Sequence, residues 1–159
     1  MVLWRISHHA DLGGLGGLVS SARWHTQGHR VVYLAESPAG ALIELLVHLE
    51  LNPARMPGDY QLLKIQVGDS ISREHVLLSS LSGEWRTKLH ETRSRGDRWL
   101  AEQNSALFQV PSAIMPETWN WMLNPRHGDA STITIEGIFP LALDPRLAAR
   151  TRLPDAPKK

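Results

Sequence analysis

The segment from Ser37 to about Glu50 constrains the fold most, because it predicts a helix that is apolar around most of its circumference. Ser37 is a good N-cap residue, and Pro38 follows at the first helical position, where its missing N–H costs nothing. The helix then carries Leu42, Ile43, Leu45, Leu46 and Leu49. A helix with apolar residues on nearly every side is usually buried. We therefore expect it to lie in the interior of the domain.

The remaining chain alternates irregularly between strand-like and helix-like segments. β-Branched and aromatic runs predict strands at 2–6, 31–35, 60–67, 106–116 (one or two, interrupted at Pro111) and 131–143. Leu62, Ile65 and Val67 are the apolar members of the strand at 60–67, and Ile133, Ile135 and Ile138 are the residues expected to be buried in the strand at 131–143. Helices are predicted at 84–104, broken near 94–97, and at 117–123. Since no even βαβ repeat is present, the pattern favours an α+β fold over a doubly wound sheet.

Glu44 is the feature of the buried helix that packing does not explain. No Lys or Arg lies three or four positions away from it, where a helical ion pair would form. A buried carboxylate needs a partner or a cavity, because burying an unpaired charge is costly. The alternative is that Glu44 lies on a narrow solvent-facing stripe with Gly40, His48 and Leu51.

Arg23 and Tyr33 lie on either side of the strand-like run that leads into this helix. Such edges are common ligand sites in mixed α and β architectures, so Arg23, Tyr33 and Glu44 are predicted to converge on one cleft. An arginine suits phosphate, and a tyrosine offers a flat face to a heterocycle. A surface ion pair and a core aromatic residue are the alternatives. Trp24, beside Arg23, is the one tryptophan that we retain as a candidate for stacking on a nucleotide.

Ser112 follows Pro111 at a point where a strand bends, and so presents a hydroxyl there. It lacks the G-x-S-x-G elbow of a serine hydrolase. A turn serine that bonds its own backbone is the alternative.

Composition excludes several classes of function. The 17 basic and 16 acidic residues give a net charge of +1, which favours neither nucleic acid nor an anionic membrane as a partner. The absence of cysteine excludes disulfides and thiolate chemistry. No apolar stretch approaches the ~18 residues of a membrane helix, and no signal peptide is evident. These features predict a cytoplasmic location.

Two further motifs are weak. The glycine-rich segment 11–22 lacks the order of a dinucleotide fingerprint and is interpreted as a flexible loop over a pocket. His25 and His29 are four residues apart, but the turn at Gly28 disfavours a metal-binding helix. An RNA-cleaving role for the same histidines is disfavoured by the near-neutral charge.

Taken together, these segments resemble the RES-domain family, the toxins of bacterial toxin–antitoxin pairs. The family is named for an arginine, a glutamate and a serine, matched here by Arg23, Glu44 and Ser112. The resemblance is carried by "RWHTQGHRVVYLAESPAGALIE", "LFQVPSAIMPETWNWMLNPRH" and "FPLALDPRL". The family pattern has Gly-Arg-Trp-Asn where this chain has Ala-Arg-Trp-His, so that His25 replaces an asparagine.

The resemblance implies one compact domain over residues 1–150, followed by a short polar tail, 151–159. Its fold would be similar to that of ADP-ribosyltransferases, with a mixed or antiparallel sheet flanked by helices. It implies NAD as the substrate, with no metal. Cleavage of the nicotinamide–ribose bond would deplete NAD and inhibit growth. An Xre-type helix-turn-helix antitoxin is the implied protein partner, without direct contact of this chain to nucleic acid or membrane.

The resemblance also implies a role for each matched residue. Arg23 would hold the diphosphate or a ribose, and Tyr33 would orient the nicotinamide ribose. Glu44 would bind ribose hydroxyls and stabilise positive charge at C1′. Ser112 would fix the pocket and the ligand, with Trp24 as a further ligand contact. The acceptor of the ADP-ribosyl group stays open between water, phosphate and a protein side chain. The competing functions are a protein ADP-ribosyltransferase that acts on a metabolic enzyme and a non-enzymatic binding protein.

Overall fold

A mixed sheet of seven strands forms the centre of the computed structural model, which describes residues 1–49, 60–144 and 146–147. The strands lie in the order β4-β5-β6-β2-β1-β3-β7. All neighbouring pairs are antiparallel except β4 and β5, which are parallel. Their bounds are β1 Val2–Ser7, β2 Val32–Ala35, β3 Gln61–Gln66, β4 Arg73–His75, β5 Leu107–Pro111, β6 Trp119–Leu123 and β7 Thr134–Pro140. The predicted α+β class is confirmed.

Three α-helices and two short 3₁₀ turns are described around the sheet. They are α1 Gly16–Val19, α2 Pro38–His48 and α3 Leu89–Glu102, with 3₁₀ turns at Leu78–Ser80 and Gly128–Thr132. The N-terminus of α2 is as predicted, because the Ser37 hydroxyl accepts a hydrogen bond from the Gly40 N–H at 3.0 Å. The helix contacts β1 and β2. The expected burial of the whole helix is wrong, since Ala41 and Leu46 alone are buried and Ile43 and Val47 are 41% and 44% exposed. No described helix is long and apolar enough to cross a membrane.

The core lies on both faces of the sheet. One hydrophobic cluster contains Leu107, and the other contains its neighbour Phe108. Adjacent residues of a strand point to opposite faces, so each cluster covers one face. Helix α3 contributes Trp99 and Leu100 to the second cluster and therefore covers the face that carries Phe108.

The predicted helix at 117–123 is wrong, since these residues include the interior strand β6, which pairs with β5 and β2. Trp121, Met122 and Leu123 are all buried, which is typical of a strand covered on both faces. Aromatic residues also fit a pleated surface well. The local sequence favours a helix, but hydrogen bonding to β5 and β2 makes this segment a strand.

Smaller differences concern α3 and the edges of the sheet. Helix α3 runs without the predicted break near 94–97. In β3 the buried positions are Leu63 and Ile65, and the apolar Leu62 is partly buried. Ile138 was predicted to be buried but is 50% exposed, because β7 is an edge strand.

Three predictions fall outside the described residues. They are the end of the helix predicted to begin at Ser37, near Glu50, with the segment that follows it; the solvent-facing position of Leu51; and the tail 151–159 with its boundary at residue 150. Within the described part, α2 ends at His48.

Candidate active site

A cavity of about 490 Å³ opens between the glycine-rich segment, α2 and the middle of the sheet. Strand β1 contributes Arg5 to its wall, and β2 contributes Tyr33. Helix α2 contributes Glu44, and the segment before β2 contributes Arg23. The structure therefore brings Arg23, Tyr33 and Glu44 to one cavity, as their convergence in the sequence predicted. Their roles toward a ligand stay predictions.

Glu44 has two hydrogen-bond donors, one from the turn that follows β5 and one from β6. The Ser112 hydroxyl donates to Glu44 Oε1 at 2.9 Å, and Asn120 Nδ2 donates to the same oxygen at 2.6 Å. Both bonds go to Oε1, so Oε2 has no hydrogen-bond partner among the described residues. Glu44 does not lie on a solvent-facing stripe. It is half-buried, fixed on one oxygen and available to a ligand on the other.

Ser112 supports Glu44 from beneath the cavity wall. It is 3% exposed, and its neighbours Pro111 and Ala113 line the cavity, whereas Ser112 itself does not. Its oxygen also accepts hydrogen bonds from the N–H groups of Ile114 and Met115, at 3.1 and 3.3 Å. Both interpretations of this serine thus hold in part, because it closes a turn on its own backbone and also orients a carboxylate.

Arg23 lies half-buried in the electrostatic field of the cavity. Its Nη1 donates a hydrogen bond of 2.7 Å to the carbonyl of Arg86. Burial lowers the pKa of Arg23, Glu44 opposes this effect, and the nearby Arg93 and Arg86 add to it. An arginine stays charged despite such a shift. The cavity therefore holds a cation beside the Glu44 carboxylate.

Helix α3 fixes the backbone from which Arg23 projects. The Thr92 hydroxyl donates to the Arg23 carbonyl at 2.6 Å, and Arg93 Nε donates to the Ala22 carbonyl at 2.8 Å. Gly96 allows this approach, since a Cβ there would lie 1.7 Å from the carbonyl oxygen of Trp24. The glycine that suggested a helix break is needed for close packing.

Two carboxylate hydrogen bonds complete this attachment. Asp97 accepts from both the N–H and the hydroxyl of Thr26, each at 2.8 Å. Helix α3 carries a run of charged residues of both signs, a pattern that usually indicates a solvated face. Part of that run instead binds the segment 22–26.

His25 is buried between the glycine-rich segment and Tyr33. It is 2% exposed, and its ring nitrogens lie 2.9 Å from the Tyr33 hydroxyl and 3.1 Å from the Ser20 carbonyl oxygen. Gly17 packs against this ring, because a Cβ at Gly17 would lie 3.0 Å from His25 Nε2. The glycine-rich segment therefore lies directly on His25 and lines the cavity, as predicted, but it contains the short helix α1 where a loop was expected.

Trp24 forms part of the cavity wall but has little surface to offer. Its side chain is 3% exposed and packs in the second hydrophobic cluster, with its ring 5.9 Å from that of Trp85. The structure thus places Trp24 chiefly in the core. Its predicted contact with a ligand stays a prediction.

Two polar residues of the site were missed. Asn120 was assigned to a helix, and only its place on β6 brings it to Glu44. Alternation within "WNWML" was the signal for a strand. Arg5 lies in the strand predicted at 2–6 and was not assigned to the site, although a lone cation in the apolar run "VLWRI" is itself a signal. Arg5 lines the cavity and donates to the Asp11 carbonyl at 2.6 Å.

Within the described residues, no three His, Cys, Asp or Glu side chains lie close enough together to hold a metal ion. His25 is occupied by Tyr33 and Ser20, and His29 lies 3.9 Å from Asp97.

Comparison with known proteins identifies the family to which the sequence is similar. Residues 2–144 match the family model described as the RES domain. A protein named Toxin Res from Pseudomonas putida is 46% identical over 136 residues, which cover 86% of this chain and 92% of the relative. A Prs ADP-ribosylating toxin from Sphingobium is 34% identical, covering 91% of this chain and 94% of the relative.

A solved structure has a similar fold. It is the M. tuberculosis MbcT–MbcA toxin–antitoxin complex, with a TM-score of 0.70 and 14% identity over 93% of this chain and 86% of the solved chain. At 14% sequence identity, this similarity is evidence for a shared fold and not for a shared activity. The match over residues 2–144, together with the relatives of 46% and 34% identity, shows that this chain belongs to the RES-domain family.

Proposed function

We propose that this protein is the toxin of a toxin–antitoxin pair and that it consumes NAD by breaking the nicotinamide–ribose bond. The observation that carries the proposal is the state of Glu44, which enters a cavity with one oxygen held by two neutral donors. A cavity of about 490 Å³ is within the range of about 300–1,000 Å³ that is usual for small-molecule and cofactor sites. The names of the relatives support the same class of activity.

Cleavage of the nicotinamide–ribose bond requires a fixed negative charge near the ribose rather than a general acid. Nicotinamide leaves as a neutral base, and the electron pair of the C1′–N bond leaves with it, so nothing has to protonate it. Positive charge then develops on the ribose, as in glycoside hydrolysis. A carboxylate that is already oriented stabilises this charge without further reorganisation. Glu44 takes this role, and Ser112 and Asn120 hold it in place.

The cations of the cavity suit the other end of NAD. Arg23 and Arg5 both line the cavity, and a guanidinium binds phosphate oxygens through paired donors. We assign the diphosphate to these two arginines and the nicotinamide ribose to Tyr33 and Glu44. An oxygen of the acceptor then bonds to C1′ and releases its proton to solvent.

Three acceptors lead to three activities. Water gives ADP-ribose, phosphate gives a phosphorylated ADP-ribose, and a protein side chain gives a modified protein. We place NAD cleavage first. Transfer to a protein is the second candidate, because the Sphingobium relative is named as an ADP-ribosylating toxin. Mass analysis of the products, with and without phosphate and with labelled NAD in a lysate, distinguishes the three.

Release of nicotinamide by the purified chain tests the role of Glu44. We expect Glu44→Gln to lower the rate by about 10²–10³, the usual cost of removing one electrostatic partner. Glu36→Gln is the matched control, since Glu36 binds Gln109 and Trp121 away from the cavity lining and should leave the rate unchanged. A Glu44→Gln variant that consumes NAD as fast as the wild type contradicts the mechanism. A wild-type chain that consumes none, with no product in lysate, favours a binding protein.

A toxin of this kind needs an inhibitor, and we propose an Xre-type helix-turn-helix antitoxin that covers the cavity. Support comes from the fold, which is similar to that of a toxin solved with its antitoxin. Expression in a bacterial host should stop growth, and co-expression of the neighbouring reading frame should restore it. Growth that is unaffected by the wild-type chain contradicts the assignment as a toxin.

A further inference from the structure

The hydrogen bonds of His25 determine how Tyr33 can meet a ligand. His25 Nε2 lies 3.1 Å from the carbonyl oxygen of Ser20, and His25 Nδ1 lies 2.9 Å from the Tyr33 hydroxyl. All three residues line the cavity. A carbonyl oxygen can only accept a hydrogen bond, so Nε2 must carry the proton.

The neutral ring then has one possible arrangement. With the proton on Nε2, Nδ1 has a lone pair and accepts a hydrogen bond from the Tyr33 hydroxyl. Burial is the main cause that lowers the pKa of His25 and keeps it neutral; Ser20 and Asp97 oppose this effect, whereas His29 and Arg93 add to it. Burial likewise raises the pKa of Tyr33, so its hydroxyl keeps its proton.

We infer that His25 is a positioning residue that turns the Tyr33 proton away from the cavity, so that Tyr33 binds its ligand as a hydrogen-bond acceptor. With its proton engaged by His25, the Tyr33 oxygen can offer a ligand only its lone pairs. The ligand group at Tyr33 must therefore be a donor. If the ligand is NAD with its nicotinamide end at Tyr33, as the proposed function assigns it, this group is a ribose hydroxyl or the carboxamide NH₂, and a phosphate oxygen is excluded.

Two conservative substitutions separate the two hydrogen bonds of His25. Asparagine carries its polar atoms at the δ position, so His25→Asn keeps an acceptor for Tyr33 and loses the contact to Ser20. Glutamine carries them at the ε position, so His25→Gln keeps a donor to Ser20 and loses the acceptor for Tyr33. We expect kcat/KM for NAD to fall about tenfold in His25→Gln, near the value of one hydrogen bond, and by less than about twofold in His25→Asn.

Tyr33→Phe shows whether His25 acts through Tyr33. In that background His25→Gln should have no further effect on kcat/KM, because the hydroxyl that it orients is absent. A purely structural role for His25 predicts the same tenfold loss with or without Tyr33. Equal losses in His25→Asn and His25→Gln, or a loss that persists in Tyr33→Phe, overturn the inference.

Substrate analogues identify the donor. An NAD analogue with a carboxylate in place of the carboxamide tests that group, and a 2′-deoxy nicotinamide ribose tests the hydroxyl. The analogue that lacks the contacted donor should lose activity in the wild type, with a much smaller loss in Tyr33→Phe. For each analogue, the loss of activity relative to NAD is compared between the wild type and Tyr33→Phe. If neither loss differs between the two proteins, the assignment of Tyr33 as an acceptor is wrong.

A spectroscopic readout makes the test independent of turnover. Long-range ¹H–¹⁵N correlation of the imidazole should show an unprotonated Nδ1 and a protonated Nε2 in His25, with an Nδ1 shift that changes in Tyr33→Phe. If this pattern is present but NAD is not consumed, the proposed function fails and the direction of the hydrogen bond stands. If NAD is consumed and the proton lies on Nδ1, the inference fails and the proposed function stands.

Discussion

Replacing Gly96 by alanine tests the close approach of α3 to the segment that carries Arg23. An alanine Cβ at this position would lie 1.7 Å from the carbonyl oxygen of Trp24 and 2.8 Å from its carbonyl carbon. Ordinary contact begins at 3.4 Å, so the helix and this peptide must separate by about 1.7 Å. Both partners are backbone, so no side-chain rotation can relieve the clash.

The expected cost follows from what this separation disturbs. It stretches the hydrogen bonds that Thr92 and Arg93 make to the carbonyls of Arg23 and Ala22. Their loss costs about 1 kcal/mol each, and overpacking adds about 1–3 kcal/mol. Alanine returns about 1 kcal/mol through its higher helix propensity. We therefore expect the free energy of unfolding to fall by about 2–4 kcal/mol.

Urea and thermal unfolding measure this difference. For a chain of this size the Tm should fall by roughly 4–16 °C. Gly83→Ala is the matched control, because a Cβ there meets no atom within 4 Å, and its effect should stay within about 0.5 kcal/mol. Helix propensity alone predicts that Gly96→Ala raises the free energy of unfolding. A variant as stable as the wild type, or more stable, would refute the reasoning from close packing.

Three further predictions concern the cavity. Asn120→Ala removes a donor to Glu44 and should lower the rate of NAD consumption about tenfold, near the value of one charged hydrogen bond; an unchanged rate contradicts the role of Asn120. Because burial lowers the pKa of His25 below the ordinary value of about 6.5, its contribution to stability is intact above that pH and is lost as the pH falls toward the native pKa. The free energy of unfolding should decline there by up to about 1.4 kcal/mol per pH unit more than in His25→Asn, and equal slopes contradict this account. Asp97→Asn weakens the attachment of Thr26, so limited proteolysis within 20–29 should accelerate; an unchanged cleavage rate contradicts it.

The parts of the fold predicted correctly are those that local sequence specifies. The N-terminus of α2 follows from Ser37 and Pro38, whose effects act within one turn of helix. The strands β1, β2 and β3 follow from their branched and aromatic residues. The order of the strands did not follow, since pairing between β2 and β6 joins residues far apart in the chain.

The error at β6 shows where local reasoning ends. "ETWNWML" begins with residues that favour the start of a helix, whereas its place between β5 and β2 makes it a strand. This error concealed Asn120 and with it half of the support of Glu44. Glu44 itself was predictable, because a carboxylate without a helical partner on an apolar helix needs an explanation from the tertiary structure.

The support of Glu44 also sets when the site can exist during synthesis. Ser112 and Asn120 follow Glu44 by 68 and 76 residues, and β2 gains its second neighbour only when β6 has formed. A nascent chain that ends before Trp119 contains Arg23, Tyr33 and Glu44, but it lacks β6 and the Asn120 amide. The ribosome must therefore synthesise at least the first 123 residues before the cavity wall can close. Translation that stops early yields a fragment with the three cavity residues and no assembled site.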